Sequence, residues 1–188
     1  MTARSLFRLL VGAAVGLAPL LAVIGSASAE AVPAARESAV KAAFLYKFSA
    51  FVEWPPGSFA RPQQPLVIAV AGDEDVALDL EQLAASGSAD RPVSVRRVAE
   101  GASIQGAHVV FLGARREGRL QEAIDAIKGP VLIVTEQPGA LQLGSVLNFS
   151  SESGRVRFSA SLPSAEARGL KLSSRLLAVA QAVEGRTR

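Results

Sequence analysis

Between Leu66 and Thr135 the chain alternates short, unbroken apolar runs with longer amphipathic stretches, and this rhythm constrains the fold more than any other feature. Leu66-Val67-Ile68-Ala69-Val70-Ala71 is the first run, and Val93 to Val98 reads as a second strand. Val109-Val110-Phe111-Leu112 is the third and Val131-Leu132-Ile133-Val134 the fourth. An apolar run of four to eight residues between turn residues suits a strand covered on both faces. Gly72-Asp73 opens a helix carrying Val76, Leu78, Leu80 and Leu83, with Glu74, Asp75 and Asp79 early in it, where acids oppose the helix dipole favourably. A polar helix is expected from about Glu117 to Lys128, broken by Gly129-Pro130. Strand and helix in alternation give a mostly parallel sheet.

The flanks differ. From about Glu37, Val40, Ala43, Phe44, Phe48, Phe51 and Val52 recur at three- and four-residue steps until Trp54-Pro55-Pro56 stops the helix. Leu141 to Phe149 and Val156 to Ala160 read as extended segments around Ser151-Glu152-Ser153-Gly154, a hairpin. Arg155, Arg157 and Ser159 alternate with Val156, Phe158 and Ala160, one face wet and the other packed. Ser173 or Ser174 caps a last helix with Leu176, Leu177, Val179, Ala180 and Val183 apolar. The expected fold is three-layer α/β: a mostly parallel Rossmann-like sheet, an antiparallel hairpin at one edge, and a C-terminal helix.

Residues 1–29 read as a cleaved export signal. Arg4 and Arg8 precede an uncharged run from Leu9 to Ile24, and Ala27-Ser28-Ala29 is a small-x-small cleavage pattern. The run is interrupted by Gly12, Gly16 and Pro19, which argues against a membrane anchor. Residues 30–38 form a leader, and 39–185 one domain, without a membrane span in the mature chain. The signal takes two Arg and no acid with it, so the net charge of +3 falls by two on cleavage. That balance gives no field for nucleic acid.

The residue inventory removes whole chemistries. The chain has 0 Cys, so disulfides, thiol nucleophiles and Cys-ligated metals are excluded. Its 1 His, His108, allows no multi-histidine metal site, and no Gly-x-Ser-x-Gly elbow accompanies it; a surface or edge position is expected. Gly72-Asp73 sits where doubly wound folds place a ligand loop, but without the dinucleotide fingerprint or the P-loop Lys. The acids from Asp73 to Glu81 lack calcium-loop spacing and read as a solvated helix face. Glu53 beside Trp54 is the one candidate for a catalytic carboxylate, and no partner for it can be placed. Arg96-Arg97 and Arg115-Arg116 with Arg119 are small basic clusters suited to solvent or an acidic protein partner. Phe44, Phe48 and Phe51 form a core stripe, whereas Tyr46 and Trp54 lie off it, and Trp is enriched at interface hot spots. No metal, cofactor or catalytic residue is expected.

Two stretches together resemble the YfiR family of small exported proteins. The first is Val40-Lys41-Ala42-Ala43-Phe44-Leu45-Tyr46-Lys47-Phe48 closing with Phe51-Val52-Glu53-Trp54-Pro55. The second is Gly154-Arg155-Val156-Arg157-Phe158, then Gly169-Leu170-Lys171-Leu172-Ser173-Ser174-Arg175-Leu176-Leu177-Ala178-Val179-Ala180. The resemblance spans about Val40 to Val183. It implies a periplasmic domain, often dimeric, that binds the periplasmic region of an inner-membrane diguanylate cyclase and holds it inactive; release raises cyclic di-GMP and favours biofilm. Two features depart from the family. Members can carry redox-active cysteines, absent here, and their closing Phe-x-x-Asn-Leu is Phe158-Ser159-Ala160-Ser161-Leu162 in this chain, with a shorter side chain that makes fewer hydrogen bonds.

The expected partner surface joins Phe51 and Trp54 to Leu170, Leu172 and Arg175. The rival readings are a small-ligand-sensing domain feeding a sensor kinase or other membrane pathway, centred on Gly72-Asp73, and a hydrolase using a carboxylate pair.

Overall fold

A computed structural model describes residues 36–87, 91–99, 102–113 and 117–186. The expected signal segment 1–29 and most of the leader lie outside them. Helix α1 (Glu37–Phe48) and a single 3-10 turn (Ser49–Phe51) lead into β1 (Val52–Glu53). Then follow β2 (Leu66–Ala71), α2 (Glu74–Ala85), β3 (Val93–Arg97), β4 (Val109–Leu112), α3 (Glu117–Ala126) and β5 (Leu132–Thr135). The last third holds β6 (Leu147–Glu152), β7 (Arg155–Ser161), α4 (Leu162–Ala167), β8 (Lys171–Leu172), α5 (Ser174–Val179) and β9 (Ala182–Glu184).

Seven strands form the main sheet in the order β3-β2-β4-β5-β6-β7-β9. Strands β3 to β6 of that order run parallel, β7 pairs antiparallel with β6, and β9 runs parallel to β7. The mostly parallel α/β sheet read from the sequence is therefore the observed one. Its central strands are buried throughout β4 and β5, which is why they read as unbroken apolar runs. Alternate residues serve two cores. Ile68, Val70, Phe111, Val134, Phe149 and Phe158 face α1 and α2, while Ala69, Ala71, Val110, Leu112 and Ile133 face α3. Among the described residues no helix lies between β3 and β4; Val98, Ile104 and Ala107 pack on the α3 side instead.

The structure corrects three local readings. Of the expected stripe only Phe48 is fully buried within α1, with Phe44 half-buried against the core; Ala42 and Leu45 are the other buried residues, and Val40 and Ala43 are not. Apolar side chains surround most of this helix, which packs on both α2 and β7, so spacing alone marks no single face. Leu141 begins no strand: residues 138–144 are turns with Gly139 and Gly144 at φ +77° and +99°, and pairing starts at Leu147. The last helix stops at Val179, because Gln181 N–H donates to the Phe158 carbonyl (2.8 Å) and Ala182–Glu184 joins the sheet beyond the hairpin. The hairpin turn is Ser153-Gly154, both at positive φ (50° and 72°), the pairing a two-residue turn of this hand needs. Among the described residues no helix is long and apolar enough to cross a membrane.

Candidate partner-binding face

Strands β1 and β8 form a separate two-stranded antiparallel sheet, with Val52 opposite Leu172 and Glu53 opposite Lys171. Ser173 N–H donates to the Phe51 carbonyl at 2.9 Å and extends the pairing. This small ribbon brings the end of the first helical segment against the segment that starts the last helix. Of the five residues expected on the partner surface, Phe51, Trp54 and Leu172 are half-buried against the core and Arg175 is exposed.

Leu170 is the exception, at 1% exposure. The reason lies in how α4 ends. Gly169, at φ +69°, donates its N–H to the Glu166 carbonyl (2.9 Å), and Leu170 N–H reaches back to Ala165 (2.9 Å). This is a Schellman ending, in which the apolar residue after the glycine folds onto the helix it terminates. Leu170 and Ala165 accordingly share one core cluster. The expectation that Leu170 faces a partner rests on where the recognisable motifs fall, and these do not mark the helix ending that buries it.

In its place the structure offers Val179, 66% exposed. The Ser173 side chain caps α5 by accepting from Leu176 N–H (3.2 Å). Leu176 points inward, and Arg175, Ala178 and Val179 are left outside. The periodicity had assigned Val179 to a packed helix face; nothing in the sequence marks it as solvent-facing.

The other flank of the face is the arm from Trp54 to Gln64. Trp54 meets Phe59 and His108 edge-on, with ring centroids 6.1 and 6.0 Å away. His108 lies flat on Phe59, at 4.4 Å and 9°. The Arg91 guanidinium sits 4.0 Å over the same Phe59 ring and donates to the Pro62 and Gln64 carbonyls (3.0 and 2.7 Å). His108 is thus no surface residue: it is 5% exposed, buried beneath the arm. Val67 N–H donates to its Nδ1 (3.1 Å), so the ring proton is on Nε2, which faces the Ser58 carbonyl at 3.0 Å. Burial pushes the imidazole below its ordinary pKa, the Ser58 hydrogen bond opposes that, and Arg91 adds to it. Phe59 and Arg91 escaped the sequence reading, since both act through contacts distant in the chain.

The remaining sequence candidates are largely consumed by structure. Asp73 caps α2, its Oδ1 accepting from Val76 N–H (3.0 Å). At the switch point between β2 and β4 the backbone closes on itself: a Cβ added at Gly113 would lie 2.7 Å from the Gly72 carbonyl oxygen. Glu74 and Glu81 pair with Arg97 at 2.9 and 2.7 Å. Asp79 is buried and takes the Arg36 guanidinium at 2.6 Å, tying the start of α1 to α2. Arg96 donates to the Gln105 carbonyl (2.8 Å), and Arg119 is exposed; Arg115 and Arg116 lie outside the described residues. Glu53 is exposed on the ribbon opposite Lys171. Among the described residues no group of three or more His, Cys, Asp or Glu could hold a metal ion.

A polar knot at the end of β5 was not foreseen. Lys41 Nζ contacts Glu136 (2.6 Å) and Glu37 (2.7 Å). Burial pulls the ammonium down, but its hydrogen bonds to Glu136 and Glu37 outweigh that and raise its pKa. Beside it Thr135 donates to Asn148 Oδ1 (2.7 Å), which also accepts from Gln137 N–H (3.1 Å). Ser161, standing where the resembling proteins have Asn, accepts from Ser164 N–H (3.4 Å) as the cap of α4. On the opposite face a cleft of about 690 Å³ runs between α3 and the loop from β3 to β4, reaching Ser58, Gln64 and His108.

A sequence profile described as YfiR/HmsC-like matches residues 38–181. No curated protein sequence matches the chain. Among solved structures, a conserved domain protein from Vibrio cholerae superposes with a TM-score of 0.52 at 10% identity, over 79% of this chain and 60% of that one. This chain thus spans less than two thirds of the Vibrio protein's length, and at that identity the likeness is one of fold alone.

Proposed function

The chain belongs to the YfiR/HmsC-like family, and from that premise we propose that it is a periplasmic, non-enzymatic regulator that binds the periplasmic region of an inner-membrane diguanylate cyclase and keeps it inactive. A repressor works by binding the inactive state of its target better than the active one, and that difference bounds the repression. Loss of the contact raises cytoplasmic cyclic di-GMP and favours biofilm.

The observation that carries this reading is the β1–β8 ribbon. It pairs the end of the first recognisable motif with the start of the closing one; Phe51, Trp54 and Leu172 in and beside it are half-buried, and Arg175 and Val179 of the helix that follows are exposed. Such a patch has what a protein contact uses: aromatic and aliphatic anchors beside a directed charge. The Schellman ending behind it, with Leu170 inside, holds the ribbon against the core.

The test is cyclic di-GMP in cells lacking the gene, complemented with wild type, Trp54→Ala or Val179→Asp. We expect a rise on deletion, reversal by wild type, and poor reversal by either variant at equal protein level. Full reversal by both would remove this face; no rise on deletion, with the gene expressed, would remove the cyclase reading.

A second reading, ligand sensing, is favoured by the cleft beside α3 rather than by Gly72-Asp73, where backbone fills the crevice. Thermal shift against periplasmic metabolites tests it, since a ligand of the folded state stabilises by mass action.

A further inference from the structure

We propose that His108 is a proton-operated latch on the arm from Trp54 to Gln64: the neutral ring fastens the arm to the sheet and the protonated ring releases it. The latch itself is independent of the function proposed above; only its consequence, loosening of the partner face at low pH, rests on that reading.

The geometry leaves one ring state that fits. Val67 N–H points at Nδ1 and the Ser58 carbonyl at Nε2–H, so each nitrogen has the partner that a neutral ring protonated on Nε2 requires. A second proton must go to Nδ1. There it meets the Val67 N–H head-on, donor against donor, and costs a buried backbone group its acceptor. His108 has a second tie to the same residue, its own N–H donating to the Val67 carbonyl (2.9 Å), so the backbone cannot slide away to make room.

Beyond the Ser58 carbonyl, no acid among the described residues stands close enough to offset a cation's burial. β2 brings no charged residue, and residues 54–64 bring only Arg61. Arg91, before β3, faces the ring from beyond Phe59 and is itself cationic. Along the cleft that reaches His108, α3 and the turn after it supply Arg119, Glu122 and Lys128, two cations to one acid. Phe59 offers a π face to a cation, but Arg91 already sits over that ring. The lowered pKa agrees with this geometry.

Trp54 and Phe59 pack against the core, and the polar ties of the arm centre on His108 and Arg91. The Ser58 carbonyl, the Phe59 ring and the edge of Trp54 all converge on His108, and Arg91 secures the far end through Pro62 and Gln64. Trp54 begins the arm directly after β1. When the ring leaves, the segment that adjoins the ribbon loses its floor.

The linkage has a definite sign. The folded pKa is lowered, so the unfolded chain takes up the proton first as pH falls. The stabilisation is fully present above the ordinary imidazole range, and it is lost as pH falls through the lowered folded value. Each unit by which the folded value lies below the ordinary one is about a tenfold preference of the closed arm for the neutral ring.

The chain has 1 His and 1 Trp, so each is a unique reporter in the mature, untagged protein. We expect imidazole NMR to show the Nε2–H tautomer near neutral pH and a titration below the ordinary range. The emission of Trp54 should change with the same midpoint, and His108→Gln, which can still accept from one side and donate to the other, should abolish that change. If His108→Gln does not fold, Phe59→Leu provides the second arm: removing the stack raises both midpoints together. A Trp54 emission that stays flat while His108 titrates, a titration at the ordinary imidazole value, or an Nδ1–H tautomer would each overturn the latch.

Discussion

Val52 lies directly opposite Leu172, and two residues before Leu172 the chain buries Leu170. Neighbours in sequence therefore carry different duties, one at a half-exposed ribbon and the other in the core. Leu170→Glu places a carboxylate inside without a partner, and the change is expected to cost about 3–5 kcal/mol and to appear as loss of the cooperative melt. Leu172→Glu is expected to leave the melt within a few degrees of wild type and to weaken partner binding. Equal destabilisation by both would show that the ribbon is core rather than surface.

Gly113 follows β4 and meets the backbone of Gly72, which follows β2. A Cβ built on Gly113 would lie 2.7 Å from the Gly72 carbonyl oxygen, a backbone atom that no side-chain rotation can move aside. Gly113→Ala should destabilise the domain by about 2 kcal/mol, measured by denaturant melting. A neutral result would mean that the loops part readily and that the crevice is open to a ligand after all.

The alternation from Leu66 to Thr135 was legible because buried parallel strands leave nothing polar to interrupt them. Strand β9 was hidden by the same logic working in reverse: Val179, Ala180 and Val183 fit a helical step, and only the hydrogen bond from Gln181 to Phe158 in β7 stops the helix. The expected partner surface comes from where the motifs of a family resemblance fall; Leu170, one of its members, lies inside, and Val179, which fits a packed helical step, lies outside. Their burial depends on a helix ending and on tertiary packing, which residue spacing does not encode. His108 was misplaced for a related reason. Its partners Ser58, Phe59, Val67 and Arg91 come from three separate stretches of chain, and no local pattern joins them.

Lys41 joins α1 to the end of β5. Its side chain is 12% exposed and that of Glu136 14%, so removing the ammonium takes a cation from a largely buried carboxylate. Lys41→Met should cost about 2 kcal/mol, as expected for losing a hydrogen bond to a charged group. Pairing it with Glu136→Gln should recover part of the loss, because the second change also removes the negative charge that Lys41 faces. Thermal melts of the two single variants and the double variant close the cycle; additive costs would mean that the pair contributes nothing as a pair.

The Ser153-Gly154 turn tests the hairpin apart from any core contact. Nothing lies within 4 Å of a Cβ built on Gly154, so its only constraint is φ +72°. Gly154→Ala should therefore cost about 1 kcal/mol through backbone strain alone. Ser153→Asn should stabilise by a few tenths of a kcal/mol, because Asn tolerates positive φ at the first position of this turn better than Ser.

Arg175 is the exposed charge beside the apolar part of the face, on the outside of α5. An exposed cation at the rim of a contact acts mainly on encounter rate and specificity, with little effect on how long the complex lasts. Arg175→Glu is accordingly expected to slow association with the proposed cyclase partner and to reduce its dependence on ionic strength, while the dissociation rate changes little. Trp54→Ala should do the opposite, raising the dissociation rate at every salt concentration, since a half-buried aromatic contributes desolvated area. Surface-plasmon kinetics at low and high salt separate the two outcomes. If both substitutions altered only the dissociation rate, Arg175 would lie at the centre of the contact, buried by the partner, and the rim assigned to it here would have to move.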